Sequence, residues 1–110
     1  MDSREEAALK EFGHTIPIFE VLADERRQQI MIELTKHAQG LTVSELTKIM
    51  QISQPAVSHQ LKTLKDHHFV SVERQGTRNF YRATLDGPLT KVEHLIHTLR
   101  SELELKPYLQ

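Results

Sequence analysis

The chain has 110 residues, 38% hydrophobic and 26% charged, with fourteen Lys or Arg against fifteen Asp or Glu and no cysteine. That length suits one domain without a second independent core, the balance excludes a wholly disordered chain, and the lack of cysteine excludes disulfide frameworks, zinc fingers, thiol catalysis and cysteine-based sensing. No run approaches the roughly 18 uncharged apolar residues of a membrane span. The opening MDSREEAALKEF carries acids where a signal peptide carries an apolar run, so the cytoplasm is the expected location, with no membrane partner. A net charge of −1 predicts no polyanion partner by itself. The placement of the charges has to decide that point.

In chain order, Ser3-x-x-Glu6 reads as a capping box, and Ala8, Leu9 and Phe12 share a stripe, so a first helix is expected to stop at Gly13. Thr15, Ile16 and Pro17 then read as a fresh start, with Ile18, Phe19 and Leu22 as the apolar face. Asp24 is the next N-cap, Glu25 suits a first turn, and Ile30, Met31 and Leu34 recur behind it until a stop near Gly40. Thr42-Val43-Ser44-Glu45 is a further capping box, opening a short helix whose Val43, Leu46 and Ile49 are expected to face inward. After the Gln51-Ile52 turn, Ser53 caps a helix with Pro55 in its first turn and Val57, Leu61 and Leu64 as a narrow buried edge. Phe69 to Glu73 alternates with Val70 and Val72 on one face, Gln75-Gly76-Thr77 turns, and Asn79 to Thr84 returns as a second strand with Phe80 and Tyr81. Asp86-Gly87-Pro88 opens a last helix carrying Leu89, Val92, Ile96, Leu99 and Leu103, which Pro107 stops.

The expected order is therefore α-α-α-α-α-β-β-α in a single domain, 1–110, with no internal repeat. Two helices joined by a tight turn (42–66) and followed by a hairpin (69–84) make a mainly α, winged helix-turn-helix fold.

Charge is concentrated on that unit. Residues 53–82 carry five Lys or Arg (Lys62, Lys65, Arg74, Arg78, Arg82) against Asp66 and Glu73, whereas the rest carries nine against thirteen. A basic helix and hairpin in an otherwise acidic chain fit phosphate binding on one face, although ordinary solvated lysines would give the same count. The helix face distinguishes the two. At about 100° per residue, Ser58, His59 and Lys62 lie opposite Val57, Leu61 and Leu64, which puts short donors and acceptors beside a cation, a set that fits base edges and phosphates in a major groove.

The string Ile52-Ser53-Gln54-Pro55-Ala56-Val57-Ser58-His59-Gln60-Leu61-Lys62-Thr63-Leu64 resembles the recognition helix of ArsR (ArsR/SmtB) bacterial repressors. Leu22-Ala23-Asp24-x-x-Arg27-x-x-Ile30 is similar to a second motif of that family, and Glu73-Arg74-Gln75-Gly76-Thr77-Arg78-Asn79-Phe80-Tyr81 to its wing. The resemblance covers roughly residues 17 to 99 and implies a homodimeric repressor that occupies double-stranded operator DNA until an effector releases it. It places dimerisation helices at 1–23 and 86–106, which accords with the apolar repeat at 89–103. On this reading Ser53, Gln54, Ser58, His59, Lys62, Arg74, Thr77 and Arg78 meet DNA. Leu9, Phe12, Leu89, Val92, Ile96, Leu99 and Leu103 meet the second copy.

The ligand sets that the resemblance implies are missing. Thr42 and Ser44 stand where the arsenic and heavy-metal type has cysteines, and neither offers a thiolate. Gly87, Leu89, Arg100 and Leu103 stand where the zinc type has its ligands. His94 and His97 have the i, i+3 spacing of a half-site that a symmetric partner, with Glu93 or Glu104, could complete, but exposed histidines on a solvated face are the default. His67 and His68 read as turn structure, and His14 and His37 as cap or solvent residues. Met31, Met50, Phe80 and Tyr81 read as core rather than as a ligand pocket. No catalytic, cofactor or metal residue is assigned, and an enzyme is not expected. The competing class, a winged-helix module that binds protein, would put an apolar or acidic surface where Ser58, His59 and Lys62 stand. A metal-responsive repressor using His94 and His97 is a variant of the first reading, and no effector is identified.

Overall fold

A computed structural model describes residues 1–103. Five helices and one hairpin follow in the order α1 (Ser3–Leu22), α2 (Glu25–Lys36), α3 (Val43–Met50), α4 (Gln54–Asp66), β1 (Val70–Gln75), β2 (Arg78–Ala83) and α5 (Asp86–Glu102). The stop expected at Pro107, the end of the 86–106 segment and Glu104 lie outside the described residues.

The largest correction is at the start of the chain, where the two expected helices are one. Its N-cap is Asp2, whose carboxylate accepts from the Glu5 N–H at 2.8 Å, so Ser3 is a helical residue and not a cap. Gly13 and Pro17 both lie inside the helix. They stand at i and i+4, so the N–H that Pro17 lacks is the one that would have served the Gly13 carbonyl, and the two break signals amount to a single missing bond. Gly13 is exposed, so the gap lies on the solvent side of the helix. Thr15, expected to start a helix, instead turns its hydroxyl back onto the carbonyls of Glu11 and Phe12 at 3.0 and 3.1 Å. Burial of Ala8, Thr15, Ile18 and Val21 holds the helix together across the weak point, because α1 packs along α5. Ile18 sits beside Pro88 at one end and Glu11 beside His94 farther on, so the two helices run antiparallel.

The core is built on Ile18 and Val21 of α1, Ile30, Met31 and Leu34 of α2, Leu46 of α3, Val57, Leu61 and Leu64 of α4, and Phe69 and Val70 at the hairpin. The expected caps hold for α2, where Asp24 accepts from the Arg27 N–H at 3.0 Å, and for α4, where Ser53 accepts from the Ala56 N–H at 3.2 Å. Leu46 is fully buried, but Ile49 is exposed and not inward-facing as its spacing suggested. Helix α3 is only two turns long, and the buried side of so short a helix is one residue wide.

The hairpin strands pair antiparallel from Val70 with Ala83 to Gln75 with Arg78, around a turn at Gly76 and Thr77. Leu41 adds a one-residue bridge to the outer side of β2, with Leu41 N–H to Tyr81 carbonyl at 3.0 Å and the return bond at 2.8 Å. The approach is possible because residue 40 is glycine. Its φ is +90°, and a Cβ there would stand 2.8 Å from the Tyr81 carbonyl oxygen. The bridge fixes the start of α3 against the wing.

Candidate nucleic-acid interface

Helices α3 and α4 form the helix-turn-helix, joined through Gln51 in the left-handed conformation (φ 56°). The start of α3 is held by a complete capping box. Thr42 accepts from the Glu45 N–H at 3.1 Å, and one Glu45 carboxylate oxygen accepts from the Thr42 N–H and hydroxyl, both at 3.0 Å. Those bonds to Thr42, with Arg78 assisting, hold the Glu45 carboxyl below its ordinary pKa.

Helix α4 buries Val57, Gln60, Leu61 and Leu64 and turns Gln54, Ser58, His59 and Lys62 outward, with its cap Ser53 exposed at the leading end. The expected outward set is therefore gathered on one face. Across the hairpin, Arg74, Thr77 and Arg78 are all exposed near the turn. The Arg74 Nε donates to the Gly76 carbonyl at 3.1 Å, which braces the turn, and the Arg78 guanidinium lies 5.4 Å from the Phe80 ring centre.

The local acids partly occupy the cations of this face. Lys62 Nζ meets Asp66 Oδ2 at 2.9 Å, which lowers the Asp66 pKa, and Arg82 Nη1 meets Glu73 Oε2 at 2.9 Å. Arg78 stands 3.9 Å from Glu45. Exposed pairs of this kind are worth about 0–1 kcal/mol each, so a phosphate can take the cation over at little cost.

Sequence reasoning missed one residue that positions this face. Gln60 lies on the buried side of α4, and its Oε1 accepts from Arg27 Nη1 at 2.9 Å. Arg27 also donates from Nε to the Val21 carbonyl at 2.8 Å and from Nη2 to the Glu20 carbonyl at 3.1 Å. From the first turn of α2, one guanidinium thus ties the end of α1 to α4. A polar residue between Val57 and Leu61 on an apolar edge was the available signal, but its partner is 33 residues away.

The residues expected at a dimer contact fall into two sets. Leu9 and Phe12 are exposed on α1, and so are Leu89 and Ile96 on α5 and Leu103 at its C-cap. Val92 and Leu99 are only half-buried, and Leu95, absent from the expected stripe, is the α5 leucine that the fold buries. Ile16, Phe19 and Leu22 extend the exposed row on α1. His94 and His97 are both exposed, and His94 Nδ1 is 3.0 Å from Glu11 Oε2. Among the described residues no three of His, Cys, Asp and Glu are grouped to hold a metal ion. His67, at the end of α4, donates from Nδ1 to the Thr63 carbonyl at 2.9 Å, and His68 takes a positive φ of 65°, both serving the turn into the hairpin.

Comparison with known proteins points the same way. Residues 24–72 match the family model described as "Bacterial regulatory protein, arsR family". An arsenical resistance operon repressor of Bacillus subtilis is 36% identical over 63 residues, covering 57% of this chain and 59% of that protein. A transcriptional repressor SmtB homolog of Synechocystis is 39% identical over 69 residues, covering 63% and 50% respectively. The match therefore spans about half to three fifths of the length of these relatives. Among solved structures, an ArsR family transcriptional regulator aligns with a TM-score of 0.67 at 26% identity, over 82% of this chain and 90% of its own. A homodimeric winged helix-turn-helix DNA-binding domain from Mycobacterium bovis shares the fold, with a TM-score of 0.62 at 22% identity over 92% of this chain and 90% of its own. No helix among the described residues is long and apolar enough to cross a membrane.

Proposed function

The chain belongs to the ArsR family of bacterial regulatory proteins, and from that premise we propose that it is a homodimeric repressor that binds a specific double-stranded DNA operator in the cytoplasm. The carrying observation is the outward face of α4, where Gln54, Ser58, His59 and Lys62 stand together while Val57, Leu61 and Leu64 seat the helix in the core. The N-terminal half of a recognition helix comes closest to base edges, so Gln54, Ser58 and His59 read bases. Ser53, Lys62, Arg74, Thr77 and Arg78 anchor the flanking backbone. The same face carries neither the apolar nor the acidic surface of a protein-binding wing.

Two copies join through α1 and α5. Leu9, Phe12, Ile16 and Phe19 and the i, i+7, i+14 row Leu89, Ile96 and Leu103 give one chain an apolar surface that an isolated monomer would expose to water. Control follows from release of the DNA by an effector.

The test is selection of bound fragments from the source genome by the purified protein. An enriched palindromic site with half-sites about one helical turn apart is the expected result. Recovery of fragments with no shared sequence would overturn the proposal.

A further inference from the structure

Helix α1 ends without a basic residue in its last turn, so its terminal carbonyls need donors from elsewhere. They receive them from α2. Gln28 Nε2 donates to the Leu22 carbonyl at 2.6 Å, and Arg27 donates to Glu20 and Val21 as described above. The third arm of Arg27, Nη1, donates to Gln60 in the buried edge of α4 at 2.9 Å and stands 3.9 Å from Asp24 Oδ2 at the cap of its own helix. Only 17% of the Arg27 side chain is exposed. A planar guanidinium holds its donors in a fixed fork, so bonds on different edges fix the angle between the groups they hold.

The helix end that Arg27 grips is also the end that carries Phe19 and Leu22 on its exposed side. In a two-fold dimer built on α1, the distance between the two recognition helices is set by how each α4 sits on its own α1. We propose that Arg27, through Gln60, is a positioning residue that fixes the recognition helix to the dimer helix, and that it selects the operator half-site spacing without touching DNA. This inference rests on the DNA-binding reading. It adds that spacing specificity is lost when the Arg27–Gln60 bond is removed, even though the base-reading and phosphate-binding residues are intact.

Gln60→Leu removes the acceptor and puts an apolar side chain of similar size on a buried edge, and Gln60→Glu keeps an acceptor for Arg27. Arg27→Met removes the fork. Each variant is measured as a dimer, well below its melting temperature, on the selected operator, on the same operator with the half-sites moved apart by one base pair, and on random duplex. Gln60→Leu and Arg27→Met are expected to lose about tenfold or more of the preference for the native spacing, while Gln60→Glu stays within about threefold of wild type. Random-duplex affinity depends on the cations of α4 and the wing and is expected to change little. A purely structural role would lower the melting temperature and leave the spacing preference alone, and that outcome overturns the inference while the DNA-binding reading stands. A wild-type protein that distinguishes no operator from random DNA overturns both.

Discussion

His94 Nδ1 lies 3.0 Å from Glu11 Oε2, a polar contact that joins α5 to α1 within one chain. Glu11 is mostly covered, its side chain 13% exposed, whereas Ile16 and Ile96 on the same two helices are exposed. Glutamate at either outward isoleucine would place two charges against each other across a two-fold interface, an arrangement that costs several kcal/mol when the charges are desolvated. Ile16→Glu and Ile96→Glu are expected to sediment as folded monomers at micromolar concentration, where the wild type sediments as a dimer. A monomeric wild type would refute the arrangement.

Gly13 stands in the interior of an exposed helical turn where a Cβ would meet nothing within 4 Å beyond its chain neighbours and the backbone of its own helix. Gly13→Ala is therefore expected to stabilise the protein by about 0.5–1 kcal/mol, read as a higher urea midpoint with unchanged slope. Had the chain broken there into two helices, alanine would destabilise it.

The Thr42–Glu45 capping box makes the stability of α3 depend on pH. The folded-state pKa of Glu45 is lowered, chiefly by the Thr42 N–H and hydroxyl. A depressed pKa means that the contribution is complete above the ordinary carboxylate range and is lost as pH falls through the folded value. Glu45→Gln keeps an acceptor that does not titrate. Thermal melts between about pH 6 and pH 3 are expected to show the wild type losing its advantage over Glu45→Gln at the acid end. The two proteins losing stability in parallel would show that the capping carboxylate is not responsible.

What the sequence made legible was local. The caps at Asp24, Thr42 and Ser53 follow from three-residue spacings, and each is present with its bond made. The outward set on α4 follows from helical periodicity alone. The errors came where distant contacts outweigh local signals: Gly13 and Pro17 should end a helix, but α5 packs along it and the helix continues. Periodicity showed that α5 is amphipathic but not which leucines its neighbour covers, so Leu95 was missed and the exposed Leu89 and Ile96 were grouped with the half-buried Val92. The Arg27–Gln60 bond joins elements that no spacing rule relates.

The proposed DNA-binding face is tested most directly by comparing alanine substitutions at Ser58, His59, Lys62 and Arg78 on operator and random duplexes across a salt series. Groove and backbone contacts fail differently. Ser58→Ala and His59→Ala are expected to cost about 1–3 kcal/mol on the operator and little on random DNA. Lys62→Ala and Arg78→Ala should weaken both and reduce the salt dependence by about one phosphate contact each. Equal losses on both duplexes for the Ser58 and His59 variants would contradict base reading by α4, and with it the claim that this chain is a sequence-specific repressor.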